Sequence, residues 1–243
     1  MARFAVVLSL SLLPLVPAAW SQVAVDHCGQ HISGSGFLVQ DLDCPTAEPA
    51  ITMTSTGTLE LRGFTIHGGE YGMLCMRSCS VVGPGTVSGA AEDGLDAFGH
   101  LALSNVTSTG NGFTGAKAGR SVLLLDSHLE GNQKCGAESL WTLRASRSSM
   151  TGNDCGVEVD GRTARLSQVT ISGNARGGVF AGGTRLVDSS VTGNATDPGC
   201  GVDFVCADLA AWKRRPGLRN STCGTSATSA DLPTGTWGVC SAD

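Results

Sequence analysis

The chain runs to 243 residues, with 16 Lys and Arg against 21 Asp and Glu, and only 15% of its positions are charged. That balance lacks the basic surplus with which nucleic-acid-binding domains hold phosphates, and it exerts no pull toward an anionic membrane surface. Thirty-four glycines against one tyrosine, with ten cysteines, describe a chain that turns often, packs small side chains closely and is closed by disulfides in an oxidising compartment.

Residues 1–21 read as an export signal. Arg3 precedes an apolar run from Phe4 to Val16, broken only by Ser9 and Ser11, which is too short to span a bilayer. Ala19 and Ser21 occupy the small-x-small positions that a signal peptidase reads, so the mature chain is expected from Gln22. No later run reaches the ~18 apolar residues of a spanning helix. The expectation is therefore a secreted, extracellular protein, or one in the periplasm or at the cell surface, with no membrane span. Residues 22–57 are irregular, hold Phe37-Leu38-Val39 and Leu42, and predict an N-terminal cap with Cys28 paired to Cys44.

From residue 58 to 206 the chain repeats. Rows of 21 residues align Gly68, Gly89, Gly110, Gly131, Gly152 and Gly173, with Gly193 one residue early. Five of these glycines are followed by asparagine, at Asn111, Asn132, Asn153, Asn174 and Asn194. A second glycine column comprises Gly72, Gly94, Gly115, Gly136, Gly156, Gly178 and Gly201.

Apolar columns keep the same phase. One is Leu61, Val82, Leu103, Leu124, Ala145, Leu166 and Leu186; another is Ile66, Val87, Ser108, Leu129, Met150, Ile171 and Val191; a third is Met73, Leu95, Ala116, Ala137, Val157, Val179 and Val202. Period-two alternation between turns makes these short strands, and a fixed period makes a solenoid. The row is shorter than a helical repeat and lacks the leucine-rich pattern, which leaves an all-β, right-handed parallel β-helix of roughly seven to eight coils of ~21 residues.

Cys135 and Cys155 stand before the second glycine in successive rows, so their Cα atoms should lie one coil apart, within the reach of a disulfide. After Cys206 the repeat dissolves. Residues 207–243, with Trp212, Trp237, Cys223 and Cys240, predict a C-terminal cap closed by Cys223–Cys240. The pairs Cys75/Cys79 and Cys200/Cys206 lack the repeated spacing of zinc sites and leave their partners open, and no metal site is expected from them.

Rows such as Leu103-Ser-Asn-Val-Thr-Ser-Thr-Gly-Asn111 and Leu166-Ser-Gln-Val-Thr-Ile-Ser-Gly-Asn174 resemble the pectate-lyase-like right-handed β-helix proteins over residues 57–206. That group includes polygalacturonases, pectate and alginate lyases and mannuronan epimerases, together with exported proteins of no assigned activity. The resemblance implies a polysaccharide or cell-surface glycan as partner and an active cleft on the outer face of one sheet. The polygalacturonase set of Asn-Thr-Asp, Asp-Asp and Arg-Ile-Lys is missing, and so is the Asp-Pro-His-Glu stretch of the epimerases.

Alternation points one column outward after the second glycine: Leu74, Asp96, Lys117, Glu138, Glu158, Phe180 and Asp203. Asp96, Lys117, Glu138 and Glu158 are the candidate catalytic residues. Their neighbours by register, Glu92, Asp93, His100, Lys134 and Asp160, with Trp141 at a coil edge, are the candidate substrate contacts. Paired carboxylates suit acid–base work on a glycosidic bond. Lys117 would instead abstract a C5 proton in lyase or epimerase chemistry, with Ca²⁺ gathered by the carboxylates to neutralise a uronate. The same column also reads as a salt-bridge ladder.

Three further features read as structural. The asparagines form a ladder at a turn, Asp126 and His128 share a strand face without a third partner, and Lys213-Arg214-Arg215 with Arg219 forms a basic patch on the cap. Sequons at Asn105, Asn194 and Asn220 matter in a eukaryotic secretory pathway. The sequence thus predicts a monomeric protein that binds or processes an extracellular polysaccharide, a polyuronate being one substrate class, with a non-catalytic adhesive or matrix solenoid as the alternative.

Overall fold

Short alternating strands between glycine turns bury one side chain in two, and a coil built from them covers that apolar side only by lying on its neighbours. The computed structural model describes residues 22–45, 48–194, 207–211, 213–227 and 236–241. They form an all-β parallel solenoid of about nine turns. The expected export signal, Cys200, Cys206 and Trp212 lie outside the described residues.

Each complete coil contributes a strand to three parallel ladders, as in Ala116–Ala118, Ser121–Leu125 and His128–Glu130. The first ladder runs from Gln30–Ile32 through Met73–Cys75, Leu95–Ala97, Cys135–Ser139 and Leu209–Ala211 to Ser226–Ala227. The second runs from Val23–Val25 to Gly217–Arg219, and the third from Leu42–Cys44 to Thr222–Cys223. The coil count exceeds the expected one because residues 22–57, read as irregular, already carry strands paired in the same parallel register.

Two of the apolar columns stack as expected, and their described members are buried throughout. The remaining column needs correction in its early rows. Val81, not Val82, pairs with Leu103, and Leu59, not Leu61, pairs with Val81, because the ladder slips by one residue around Gly83-Pro84-Gly85. Val82 is left half-buried on the outer side while Leu61 fills the core at the turn. At the other end the partner of Val179 is Leu209 and that of Phe180 is Ala210, while Gly201, Val202 and Asp203, expected in these columns, lie outside the described residues.

The glycine columns have separate causes. Gly110, Gly131 and Gly152 have φ of 63°, 60° and 65°, a left-handed turn in which a Cβ is strained. Gly115 has no such φ; a Cβ there would meet Asn132 Nδ2 at 2.7 Å and the Gly136 carbonyl oxygen at 2.8 Å. The second column is therefore glycine because the next coil's carbonyl, a core side chain and, at Gly94, Gly115, Gly156 and Gly178, an asparagine amide crowd the space a Cβ would take.

Those asparagines are buried and joined end to end. Each Nδ2 donates to the Oδ1 of the next, at 2.8 Å from Asn111 to Asn132, 2.9 Å to Asn153, 3.2 Å to Asn174 and 2.7 Å to Asn194. Each Oδ1 also accepts the preceding asparagine's backbone N–H, and Asp208 closes the row by accepting from Asn194 N and Nδ2. The left-handed residue is the glycine before each asparagine, not the asparagine itself.

Four disulfides lie among the described residues. Cys28–Cys44, Cys135–Cys155 and Cys223–Cys240 are the expected pairs, with Cα atoms 5.6, 4.4 and 4.9 Å apart. Cys75 pairs with Cys79, closing the turn between the first and second sheets. Disulfides of this number are compatible with an extracellular location. Among the described residues no helix is long and apolar enough to cross a membrane.

Candidate functional site: a charged column on the first sheet

The register sets the site. On the outer side of the first sheet the ladder stacks Leu74, Asp96, Lys117, Glu138, Glu158 and Phe180 in consecutive coils. Neighbouring rungs of a sheet lie about 4.8 Å apart, so four ionisable side chains share one narrow strip.

Beside this strip runs a second column, from the turn that enters each strand. Glu92 N donates to Glu70 O, Phe113 N to Glu92 O, Lys134 N to Phe113 O, Asp154 N to Lys134 O and Arg176 N to Asp154 O, which fixes these residues one above another. Lys134 Nζ lies 2.7 Å from Glu138 Oε2 and 5.2 Å from the centre of the Phe113 ring. Arg176 Nε donates to the Asp154 carboxylate at 2.6 and 2.7 Å.

Asp93 is buried, accepts the Thr114 N–H on Oδ1 at 2.8 Å, and turns Oδ2 toward Lys117 Nζ at 3.7 Å. Thr114 Oγ1 donates to Glu138 Oε2 at 3.3 Å. A single connected set therefore joins Asp93, Thr114, Lys117, Glu138 and Lys134.

Protonation follows from this packing. Burial first, and the neighbouring Asp93 second, push the Asp96 carboxyl up to about 6. Burial and then Glu138 raise Glu158 to about 6. Asp93 and Asp160 are also raised, in each case chiefly by burial. Burial pulls Lys117 down, but Asp93, Glu138 and Asp96 together outweigh it and hold its pKa above the ordinary lysine value. Lys117 is thus a fixed cation, poorly suited to abstracting a proton.

Two expected contacts fall elsewhere. His100 begins the strand His100–Thr109, pairs with Ser121 on the second sheet, and lines a depression with Ser80, Leu123 and Arg144 instead of joining the acids. Trp141 sits at the corner between the first and second sheets, 49% exposed, with Arg120 and Arg162 at 5.5 and 5.7 Å from its ring. The corner follows directly on the strand Cys135–Ser139, too tight a connection for a residue beyond it to look back along the first sheet. Asp160 does lie on the outer side, two residues after Glu158.

Asp126 and His128 are likewise separate. Asp126 forms a bidentate pair with Arg147 one coil on, at 2.6 and 2.9 Å, and His128 shares a hydrogen bond with Ser149.

The sequence reading missed Tyr71, Phe113 and Thr114. Tyr71 is raised first by burial and then by Asp93 and Asp96, which places it against the acidic end of the strip. The row position of Thr114, between the asparagine and the second glycine, would have marked it. Two exposed rings, Phe113 at 40% and Phe98 at 57%, stand at opposite ends of the first-sheet strands, Phe113 in the turn before Ala116–Ala118 and Phe98 directly after Leu95–Ala97.

The described residues bring three metal-type donors within 4.8 Å at Cys135, Cys155 and Glu158. Both sulfurs are bonded to each other, so neither offers the thiolate that a metal needs. Neither a protein-family model, nor a curated protein, nor a solved structure matches this chain. Its chemistry must be argued from its own geometry.

Proposed function

We propose that this protein is a secreted polysaccharide-active solenoid that hydrolyses a glycan on the outer face of its first sheet, with Glu158 as acid and Glu138 as the facing carboxylate. The observation that carries the reading is the pairing of Glu138 with Glu158 on adjacent rungs. Adjacent rungs stand about 4.8 Å apart, near the ~5 to 5.5 Å carboxyl separation of a retaining glycosidase.

The two carboxyls have unlike surroundings. Glu138 is ion-paired to Lys134, whereas Glu158 is raised to about 6 and holds a proton near neutrality more readily than an ordinary glutamate. Environments that push two acids apart define an acid and a base. Glu158 would protonate the departing glycosidic oxygen while Glu138 attacks the anomeric carbon, and water activated by the ionised Glu158 would release the sugar. Lys117, a fixed cation, steadies the carboxylates; this favours hydrolysis over the lyase and epimerase routes, which would use it as a base. Exposed Phe113 and Phe98 offer apolar faces to pyranose rings. The pectate-lyase-like resemblance supports the same class of substrate.

A second reading rests on a specific observation too. Lys134–Glu138, Lys117–Asp93 and Arg176–Asp154 pair most of the charges along the strip, as a non-catalytic adhesive ladder would require.

The test is to incubate the mature protein with polygalacturonate, alginate and neutral glucans, with and without Ca²⁺, and to follow new reducing ends and the ultraviolet absorbance of unsaturated products. Hydrolysis gives reducing ends without that absorbance. Glu158→Gln and Glu138→Gln should each lower turnover by roughly a hundredfold or more, with no loss of thermal stability. Unsaturated products would replace hydrolysis by elimination, and the absence of turnover on every glycan would leave the ladder reading.

A further inference from the structure

The second sheet carries a feature that the charged column does not use. Arg144, Arg165 and Arg185 are direct ladder partners in three consecutive coils, all exposed on the outer face. Among the described residues none of the three has an ion pair or a side-chain hydrogen bond. Like charges placed opposite one another on a sheet repel, and this chain has an acidic surplus with 21 Asp and Glu from which to draw neutralising partners. Yet the outer columns of this sheet hold no carboxylate between Ser80 and Val187.

The arginines line a depression of about 360 Å³. It shares Leu123 and Arg144 with a second one of about 410 Å³ that reaches back to Ser80 and Thr56. The two form one groove running along the solenoid axis, across the strands. Hydroxyls flank the arginine row on both sides: Ser121 and Thr142, whose side-chain oxygens lie 2.9 Å apart, on one side, and Ser146 and Ser167 on the other. At the same end Arg162, Lys213 and Arg214 surround a further depression of about 330 Å³.

We propose that this groove binds an acidic polysaccharide, a glycan bearing carboxylates or sulfates at regular intervals, laid along the solenoid axis with its anions on Arg144, Arg165 and Arg185. The interior strands of the sheet have their backbone groups committed to the ladder, so a peptide cannot add as a strand there and recognition falls to side chains. Guanidinium forks engage carboxylate or sulfate oxygens two at a time. They recur at the rung spacing of about 4.8 Å, comparable to the advance of one sugar ring, so a polymer with a regular charge stays in step where an irregular acidic peptide does not. The groove lining holds no Phe, Tyr or Trp, and His100 is its single ring, so successive nucleobases would find no row of rings on which to stack. The mild acidity of the whole chain thus conceals a locally cationic face. This proposal reads binding only and does not depend on turnover at Glu138 and Glu158.

The experiment measures affinity of the mature protein for polygalacturonate, dextran sulfate, neutral dextran and single-stranded DNA at two salt concentrations, by titration calorimetry. Binding is expected to both charged glycans and not to neutral dextran, and the tighter of the two identifies the anion as carboxylate or sulfate. The triple variant R144Q/R165Q/R185Q should weaken it at least tenfold and lower the salt dependence by about one counterion per arginine, with an unchanged circular dichroism spectrum. Arg165→Glu alone, a reversal at the central rung, gives the same loss should the triple variant fold poorly. Glu158→Gln should leave this binding intact, which separates it from the hydrolysis reading. Unchanged affinity in these arginine variants, equal binding of neutral dextran, or tighter binding of DNA than of either charged glycan would overturn the proposal.

Discussion

Asp96 and Glu158 are half-buried carboxyls whose pKa is raised to about 6, from ordinary values of 3.8 and 4.5, chiefly because burial penalises the charged form. A carboxyl that holds its proton more tightly folded than unfolded stabilises the fold below its ordinary pKa, and that contribution is lost as pH rises through its folded value. These two side chains therefore favour the folded state near pH 4 and oppose it above pH 6. The expected outcome is that Asp96→Asn and Glu158→Gln each raise stability at neutral pH, by of the order of 1 kcal/mol once solvent screening is allowed for. Near pH 4 the gain should vanish. Urea unfolding at the two pH values checks this, and a parent protein whose stability rises from pH 4 to neutrality at these sites, with variants parallel to it, contradicts the packing described. A carboxyl that keeps its proton toward neutrality is what the acid role proposed for Glu158 requires, which links this measurement to that proposal.

Among the repeating elements, the asparagine row is the most connected. Asn153 Oδ1 accepts from Asn132 N and Nδ2, while its own Nδ2 donates to Asn174 Oδ1 and to the Leu129 carbonyl. Removing its side chain leaves the Asn132 N–H without its acceptor, takes one of two acceptors from the Asn132 amide and one of two donors from Asn174 Oδ1, and leaves the Leu129 carbonyl without the Asn153 amide, all in the core. At ~1 to 3 kcal/mol for each buried polar group left unpaired, Asn153→Ala should cost about 3 kcal/mol, far more than alanine in place of exposed His128. Thermal or urea unfolding distinguishes them, and equal costs would show that water takes over the row. This row was legible from the 21-residue spacing alone, since burial at a fixed phase forces partners at the same phase. A hydroxyl row beside it was not. Ser127, Ser148, Ser189 and Ser221 each accept a backbone N–H from the coil before, but Val106 and Val169 break the column, so no unbroken signal marks it. The arginine row was overlooked for another reason. Its members recur at 21 and 20 residues among leucine and alanine neighbours, on a face that the resemblance did not single out. His100 and Trp141 were misplaced because spacing gives the rung of a residue but not which of three sheets it faces after a corner.

At the scale of the molecule, parallel stacking makes each coil depend on the coils next to it and on little else. Fold and column were legible for that reason: one period fixes every contact. The slip at Gly83-Pro84-Gly85 and the pairing of Val179 with Leu209 were not, because a local insertion changes the period without changing the composition. The same one-dimensional logic predicts how the protein comes apart. Cys135–Cys155 joins two central coils across 20 residues, whereas Cys223–Cys240 holds the last rungs, with Ser241 N donating to the Cys223 carbonyl. A closed loop of this length is worth about 3 kcal/mol through the unfolded chain. Replacing Cys135 and Cys155 by serine should therefore lower the stability of the whole array by about that amount. Replacing Cys223 and Cys240 should release only the end, because the loosened rungs Thr222–Cys223 and Ser226–Ala227 meet one coil and not the rest. Hydrogen exchange reads the difference. In the end variant, amides of residues 217–227 should lose protection while those of Leu95–Ala97, Ala116–Ala118 and Ser149–Thr151 keep theirs. Uniform loss of protection along the whole chain would mean that the coils unfold as one body, and nearest-neighbour stacking would then not account for the stability of this solenoid.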